Sequence, residues 1–440
     1  MTSRFYIETL GCPKNEVDSE KLVGTLVAQG LSATDDESLA DVVVVNTCAF
    51  IDAARKESID TIMALSERRK PGARLVVTGC MAERYGDELR ANLPEADQIA
   101  GFGVAIETGR GVTPATAVTL GKKPSLALSA PAVPSFDLLN LPRPTSRTPW
   151  AYVKIAEGCD RNCGFCAIPS FRGPQRSRDV DSILREVDEL QAKEIVLVAQ
   201  DLASYGKDRP SELGAGSIVN LVNAVSAKVP RTRLLYLYPS DLSDELIDAI
   251  LASGVPYFDL SLQHVSKPHL RRMRRWGDGQ RFLNRITDIR QRDSRAAFRS
   301  NFIVGYPGET EHDHDQLLHF VGEARLDWCG FFEYSPEEGT YAIDLPDQVP
   351  AGLMRERITE LRELQDTITA SKRDELIDVT VEVLVDEPGV ARSHREAPQI
   401  DGVIHVPRDL AVGSFATVLI VDALGPDLVA QGANGAADAG

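Results

Sequence analysis

Three short apolar runs near the start of the chain are each followed by a cysteine and then by a helical pattern. The runs are rich in β-branched residues and lead into Cys12, Cys48 and Cys80. Apolar residues then recur with helical spacing over residues 15–29, 53–70 and 81–93. Strand-helix units of about 30 residues predict a parallel sheet with right-handed crossovers. Residues 1–105 are therefore predicted to form an N-terminal parallel α/β sheet domain.

The carboxyl ends of parallel strands lie at one edge of a sheet, so we expect these three cysteines to converge there. A single cysteine at such a place is commonly a small buried apolar residue. Three at the same point of successive units instead favour a metal centre. Because no histidine occupies an equivalent position, an iron-sulfur cluster is favoured over a closed four-ligand zinc site.

Proline-rich residues 106–145 predict a linker or a loose crossover. Six strand-like runs alternate with helical patterns in residues 146–375, at 152–156, 195–199, 233–238, 257–262, 298–304 and 328–334. They predict a central partial (βα)6 barrel, related to the eight-unit barrel whose active sites lie at the C-terminal strand ends. A long amphipathic helix over residues 351–377 is predicted to pack beside it.

A second cysteine group, Cys159, Cys163 and Cys166, follows the first barrel strand with the spacing C-x3-C-x2-C. A structural zinc needs a fourth ligand, yet the nearest downstream His or Cys is His264. Three ligands leave one iron of a four-iron cluster open. An open iron can chelate the amine and carboxylate of S-adenosylmethionine, as radical enzymes require. Cys329, the seventh cysteine, is expected in the core.

The remaining pattern and the composition limit the class of protein. Residues 376–432 contain three strand-like runs with Gly and Pro turns, which predict a small all-β domain, and residues 433–440 predict a disordered tail. The 65 Asp and Glu exceed the 48 Lys and Arg, giving a net charge of -17 that disfavours nonspecific nucleic-acid binding. Few cysteines, no leader pattern and no long apolar run predict a cytoplasmic protein that does not enter a membrane.

Several motifs resemble those of the radical S-adenosylmethionine methylthiotransferases. They are LGCPKNEVDSE at 10–20, NTC at 46–48, GCMAERY at 79–85, the three-cysteine loop, and NFIVGYPGET at 301–310. The resemblance implies an N-terminal cluster domain, a radical SAM barrel and a C-terminal TRAM domain. It also implies two [4Fe-4S] clusters as cofactors, one on each group of three cysteines, together with S-adenosyl-L-methionine.

Within this family, CPKN at 12–15, IPS at 168–170, YSPEEGT at 334–340 and APQIDG at 397–402 resemble one branch. That branch methylthiolates the β-carbon of an aspartate in small-subunit ribosomal protein number twelve. Glu16 and the Met81-Ala-Glu run are closer to the sister branch, which modifies adenosine in tRNA. A noncatalytic iron-sulfur electron carrier is the third hypothesis.

Charge favours the protein substrate. Residues 377–432 contain three arginines against nine acidic residues, whereas a TRAM domain that binds RNA should be basic. An acidic domain suits a basic ribosomal protein, free or in the ribosome, and we expect no tRNA partner.

The resemblance also implies a division of chemistry. The cluster on Cys159, Cys163 and Cys166 would cleave S-adenosylmethionine to a radical that removes hydrogen from the aspartate β-carbon, which no general base can deprotonate at neutral pH. The cluster on the N-terminal cysteines would carry an added sulfide and deliver it as a methylthio group. Both would have to face one cavity, and the reaction implies a reducing electron donor and a sulfur donor.

Cofactor contacts are predicted at five further residues. Phe165 is similar to the position whose backbone contacts adenine in radical enzymes, and Gly305 ends a strand where glycine allows close approach of a ligand. Ser261, Gln263 and Ser300 are predicted at strand ends, where they would hydrogen-bond the methionine moiety or the ribose. The alternative interpretations are core packing, an ordinary turn and satisfied polar residues.

Two further patterns are open to several interpretations. Gln200-Asp201 ends the second barrel strand, where radical enzymes often carry a Gly-Gly-Glu signature. That signature is absent here, which leaves the polar contacts at this strand end open. Residues 269–300 contain ten arginines against three aspartates. This basic stretch predicts a solvated helix face, a contact with ribosomal RNA or a contact with the S-adenosylmethionine carboxylate.

Overall fold

The computed structural model describes residues 3–108, 136–214 and 216–432, and the chain divides into two compact units, Met1–Arg143 and Pro144–Gly440. The first unit contains a five-stranded parallel sheet with the strand order β2-β1-β3-β4-β5. Its central strand β3 is buried along its whole length, as expected for a parallel strand covered on both faces. The elements are β1 (Arg4–Thr9), α1 (Pro13–Ala28), β2 (Ser32–Ala33), β3 (Val42–Thr47), α2 (Asp52–Arg68), β4 (Arg74–Gly79), α3 (Cys80–Asn92) and β5 (Gln98–Ala100).

The predicted linker and tail fall largely outside the described residues, which omit 109–135 and 433–440. The end of the linker packs against the first unit. Leu138 is buried in the core formed with α1, and buried Lys21 donates a hydrogen bond to the Leu139 carbonyl oxygen. Buried Arg143 forms an ion pair with Glu20. Residues 136–143 are therefore part of a packed unit.

The second unit begins with a partial barrel of six parallel strands, which confirms the predicted (βα)6 architecture. Two three-stranded sheets, β6-β9-β10 and β11-β12-β13, meet at a single bridge between Leu237 and Leu260. The elements are β6 (Trp150–Lys154), β7 (Ala156–Glu157), α4 (Ile168–Arg172), β8 (Arg176–Ser177), α5 (Val180–Leu190), β9 (Glu194–Val198), α6 (Pro210–Leu213), α7 (Ser217–Ser226), β10 (Arg231–Leu234), α8 (Asp244–Ala252), β11 (Tyr257–Gln263), α9 (Lys267–Arg272), α10 (Gly279–Arg292), β12 (Ala297–Val304), α11 (Glu311–Ala324), β13 (Trp328–Glu333) and α12 (Ala351–Asp374).

Strand β10 ends four residues earlier than the prediction of 233–238. Tyr236 has a left-handed φ of 66°, which interrupts the extended backbone. Its backbone N–H donates a hydrogen bond to Asp259 Oδ2 at 2.9 Å. The long helix α12 is present as predicted and buries Ile358, Leu361 and Ile368. Cys329 packs against the same core, in agreement with its predicted role.

A small closed barrel with the order β14-β15-β16-β18-β17 follows α12, which confirms the predicted all-β domain. Its strands are β14 (Thr380–Glu387), β15 (Val390–Arg392), β16 (Ile404–His405), β17 (Phe415–Leu424) and β18 (Asp427–Gly432). The sequence pattern missed β15 and β18. Among the described helices, none combines the length and the apolar composition needed to cross a bilayer.

Buried ion pairs join the small barrel to the N-terminal strand ends of the partial barrel. Asp401 pairs with Arg299 at 2.5 Å and accepts a hydrogen bond from the Tyr257 hydroxyl at 2.6 Å. Glu194, which begins β9, pairs with Arg233 at 2.7 Å and with Arg392 at 3.2 Å. The small barrel therefore covers the end of the partial barrel opposite to the cysteine loop.

The Asp401 carboxylate should be essential for this interface. Asp401→Ala leaves the buried Arg299 guanidinium and the Tyr257 hydroxyl without their acceptor, a change that typically costs about 3–5 kcal/mol. We expect a clear fall in the thermal unfolding midpoint of the second unit, measured by calorimetry. Asp409→Ala removes an exposed carboxylate of the same domain and is the control. Equal midpoints for the two variants would contradict this role of Asp401.

Candidate metal centres

The three N-terminal cysteines lie at one edge of the first sheet. Cys12 lies immediately before α1, the helix that follows β1. Cys80 is the first residue of α3, the helix that follows β4, and Cys48 directly follows β3. These strands are neighbours, with Thr9 opposite Asn46 and Thr47 opposite Gly79. Parallel pairing in this register places the three cysteine positions side by side, as the sequence predicts.

Glycine backbones make room for the sulfur atoms at this edge. Gly11 has a φ of 98°, and a Cβ atom there would lie 2.9 Å from Cys48 Sγ. Gly79 has a φ of 90°, and its missing Cβ would overlap the Asn46 side chain. Both positions combine a left-handed backbone with close packing, which only glycine accepts without strain.

Asn15 is a site residue that the sequence analysis did not single out. Its buried side-chain amide donates hydrogen bonds to the carbonyl oxygens of Leu10 at 2.9 Å and Thr47 at 3.0 Å. Its Oδ1 atom accepts from Cys80 Sγ at 3.6 Å. Asn15 therefore ties together the chain segments that carry all three cysteines. The sequence feature that could have identified Asn15 is its polar side chain in the first turn of a predicted helix. In the structure this side chain is fully buried.

The second cysteine group forms a compact loop at the C-terminal end of β6. The Cys159 backbone N–H donates to the Gly173 carbonyl oxygen and that of Cys166 donates to the Cys163 carbonyl oxygen, both at 3.1 Å. Gly164 holds the loop from both sides. Its N–H donates to the Met273 carbonyl oxygen, and its own carbonyl oxygen accepts from the Ala342 N–H, both at 2.8 Å.

The sulfur atoms of this loop influence one another. The pKa of Cys159 is raised to about 11 and that of Cys166 to about 12, mainly by burial and in part by the neighbouring cysteines of the loop. Three thiolates this close together repel one another unless a cation binds between them. Because all three donors are sulfur atoms, the loop fits an iron-sulfur cluster.

Three buried acceptor oxygens beside the loop fit a ligand with several hydrogen-bond donors. Gln175 Oε1, Gln200 Oε1 and Asp201 Oδ1 have no hydrogen-bond partner within the described part of the chain. The other Asp201 oxygen accepts from Arg161 Nε at 2.6 Å. Gln200 and Asp201 follow β9, at the place where the sequence analysis noted the missing Gly-Gly-Glu signature. Each of these oxygens can accept a hydrogen bond from an N–H donor of a bound ligand.

Three of the predicted cofactor contacts lie near the loop or at a strand end. Phe165 is half-buried and packs against the barrel core. Gln263 ends β11 with a left-handed φ of 70°, a strained conformation that is common at functional sites. Ser261 lies within β11, and its carbonyl oxygen accepts a hydrogen bond from Arg275. Roles for these three residues stay predictions.

The other two predicted contacts have structural explanations. Ser300 lies in the middle of β12 and not at its end, is fully buried, and donates a hydrogen bond to the Leu260 carbonyl oxygen at 2.7 Å. Gly305 has a φ of 83°, and a Cβ atom there would overlap the Met354 side chain of α12. The space that glycine opens at this position is therefore filled by the protein itself.

Most arginines of the basic stretch are exposed and also form contacts within the second unit, as a solvated helix face would. Arg272 donates to the carbonyl oxygen of Gly308 at 2.7 Å, and Arg275 donates to Cys163 Sγ at 3.2 Å. The α10 arginines form ion pairs with aspartates of α8, α10 and the α10 N-terminus: Arg281 with Asp278, Arg285 with Asp244 and Asp288, and Arg292 with Asp244, Asp248 and Asp288.

A buried cluster of His264, His269 and Glu309 also lies in the second unit, with ligand atoms within 4.8 Å of one another. Its geometry does not suit a metal. The His264 Nε2 and Glu309 Oε2 atoms are 4.0 Å apart, wider than the roughly 3.4 Å expected between two ligands on a tetrahedral zinc. The Ser266 N–H donates to His264 Nδ1 at 3.1 Å, which leaves the proton of the neutral ring on Nε2. Glu309 is already paired with Arg357 at 2.8 Å.

Known protein families match three successive parts of the chain. Family profiles match three parts of the chain: the uncharacterized protein family UPF0004 at residues 4–101, the radical SAM superfamily at 153–321 and the TRAM domain at 375–432. The protein named ribosomal protein uS12 methylthiotransferase RimO from Moorella thermoacetica is 42% identical, over 94% of this chain and 96% of its own length. Proteins of the same name are 40% identical in Anaeromyxobacter sp. strain K, covering 98% and 93%, and 39% identical in Cutibacterium acnes, covering 98% of each chain.

The chain belongs to the RimO family of methylthiotransferases. It is thus a radical SAM enzyme, with S-adenosylmethionine and a [4Fe-4S] cluster as cofactors, and the predicted family and enzyme class are confirmed. Among solved structures, the radical S-adenosylmethionine methyltransferase TsrM from Kitasatospora setae is similar over 94% of this chain and 82% of its own, with a TM-score of 0.48 and 13% identity.

The RimO-family cysteine loop should depend on Gly158 for its shape. This residue has a φ of 79°, and a Cβ atom would lie 2.6 Å from the Gly173 carbonyl oxygen and would also overlap that of Pro174. We expect Gly158→Ala to lose the iron bound by this loop, measured as iron and sulfide per chain after anaerobic reconstitution. The N-terminal cysteines should be replaced by alanine in this experiment, so that only one site is counted.

Gly173→Ala is the matched control, because its φ of 73° imposes similar backbone strain while nothing lies within 4 Å of the added Cβ atom. It should retain its iron. A Gly158→Ala protein that binds as much iron as Gly173→Ala would contradict the close fit of the loop.

Proposed function

We propose that this protein methylthiolates the β-carbon of an aspartate in ribosomal protein uS12. The observation that carries the proposal is the pair of cysteine triads, each at the carboxyl ends of parallel strands, in a chain about 40% identical to proteins named uS12 methylthiotransferase RimO over nearly its full length. One triad is needed to generate a radical. The second is the feature that an enzyme of simple radical chemistry would not need.

In this proposal Cys159, Cys163 and Cys166 would hold the [4Fe-4S] cluster, which would supply the electron for reductive cleavage of S-adenosylmethionine. Gln175, Gln200 and Asp201 receive the ammonium group of its methionine moiety through their unsatisfied oxygens. Arg161 orients the Asp201 carboxylate through its 2.6 Å ion pair. In this proposal the loop cysteines hold the cluster, and the side chains beside the loop orient the cofactor.

Cys12, Cys48 and Cys80 hold the second [4Fe-4S] cluster, which supplies the sulfur that becomes the methylthio group. Asn15 and the glycines at positions 11 and 79 fix the positions of these thiolates. The reaction also needs a reducing electron donor and a sulfur donor. A ribosomal substrate would place the enzyme in the cytoplasm.

The surface charges of the small barrel support a protein substrate over tRNA. Of its three arginines, Arg392 is fully buried and paired with Glu194 and Asp386. Arg395 is half-buried beside Asp327, with 3.7 Å between the charged atoms. Arg408 alone is exposed, whereas exposed acidic residues are more numerous: Asp378, Glu382, Glu387, Asp409 and Asp422. RNA binding requires cations for the phosphates, and this surface suits a basic protein instead.

Mass spectrometry of uS12 tests the proposal. In the parent strain, the aspartate-containing peptide of uS12 should carry a methylthio group in place of one hydrogen atom. In a strain that lacks this gene, the same peptide should lack the added mass. A plasmid copy of the gene should restore the modified peptide, and a Cys159→Ala copy should not. Methylthioadenosine in tRNA from the same strains is the control and should not change. An unmodified uS12 in the parent strain, or loss of the tRNA modification, would reject the proposed substrate.

A further inference from the structure

Arg275 reaches a sulfur atom of the radical SAM loop although it lies far away in the sequence. Its Nη1 atom donates a hydrogen bond to Cys163 Sγ at 3.2 Å. Its Nη2 atom donates to the Ser261 carbonyl oxygen of β11. Only 9% of the residue is exposed to solvent. The guanidinium is therefore a buried positive charge in direct contact with a sulfur that, in the proposed function, is a cluster ligand.

The position of this guanidinium is fixed from several sides. It lies over the Tyr238 ring, 4.2 Å from the centroid, and the Arg161 guanidinium lies 3.9 Å from the same centroid. The Arg275 backbone N–H donates to the Leu270 carbonyl oxygen at 2.8 Å. The preceding residue, Arg274, has a left-handed φ of 55°, which turns the chain out of α9 toward the cysteine loop. A side chain held in this way keeps one geometry.

A fixed cation beside a thiolate ligand changes the energetics of electron transfer. Reduction adds a negative charge to the cluster, and both a positive charge and an N–H···S hydrogen bond stabilise that charge. Hydrogen bonds to ligand sulfur atoms also orient the ligand. Among the other loop sulfurs, Cys159 Sγ accepts a hydrogen bond from the backbone N–H of Arg161 at 3.4 Å. Arg275 places a cationic side-chain donor on the sulfur of Cys163.

We propose that Arg275 is a positioning residue that orients Cys163 and raises the reduction potential of the radical SAM cluster. This inference rests on the proposed function only in taking Cys163 as a cluster ligand. It assigns to Arg275, a buried residue of the basic stretch, a task in electron uptake.

A redox titration monitored by electron paramagnetic resonance tests this role. The parent protein for the test carries alanine at Cys12, Cys48 and Cys80, so that the spectrum reports one cluster. Arg275→Gln should lower the ratio of reduced to oxidised cluster about tenfold at a fixed applied potential, which corresponds to a midpoint about 59 mV lower for a one-electron couple. Arg275→Lys keeps the charge but not the two-armed hydrogen bonding, and should show a smaller fall in the same direction.

Arg271→Gln is the matched control. Arg271 is an exposed arginine of α9, and its replacement should leave the midpoint unchanged. Should Arg275→Gln fail to load a cluster, Arg275→Lys decides the question through its midpoint. Unchanged midpoints in the loaded Arg275 variants would overturn the inference while leaving the proposed function intact. A parent protein that binds no cluster at Cys159, Cys163 and Cys166 would reject the proposed function itself.

Discussion

Parallel strand pairing is the constraint on which both candidate metal centres depend. Strands that run in the same direction end at the same edge, so residues distant in sequence meet there without any loop having to be long. In the first unit this brings together Cys12, Cys48 and Cys80 from three successive units. In the second unit it places the cysteine loop, Gln200-Asp201 and Gln263 at one end of the partial barrel. The candidate ligands of both centres therefore lie at strand ends, and the strand interiors are left to the core.

The opposite end of the partial barrel carries the ion pairs that hold the small barrel. Glu194, Arg233 and Arg392 are buried there together, and so is Asp401 with its partner Arg299. Because the charged side chains in these contacts are buried, they do not contribute to the surface charge of the small barrel. The sequence-wide acidic balance is thus a mixture of buried structural charges and an exposed acidic face, and only the exposed part bears on the choice of a partner.

The sequence predicted the architecture well where local signals are strong. Runs of β-branched residues before each cysteine marked β1, β3 and β4, and the helical spacing marked α12. Short strands such as β15 lack such a signal, and the left-handed Tyr236 that shortens β10 cannot be read from a pattern of apolar residues. Ser300 and Gly305 look like ligand contacts in the sequence, but Leu260 and Met354 fill their surroundings. The contact of Arg275 with Cys163 spans 112 residues, so no local pattern shows it.

The central claim is that the two cysteine triads have separate tasks in one reaction. Its most direct test compares Cys159→Ala with Cys48→Ala under a strong reductant, measuring both 5′-deoxyadenosine formation and methylthio transfer to uS12. The account predicts that Cys159→Ala abolishes both products, whereas Cys48→Ala still forms deoxyadenosine but transfers no methylthio group. Loss of deoxyadenosine to the same extent in both variants would contradict the division of labour.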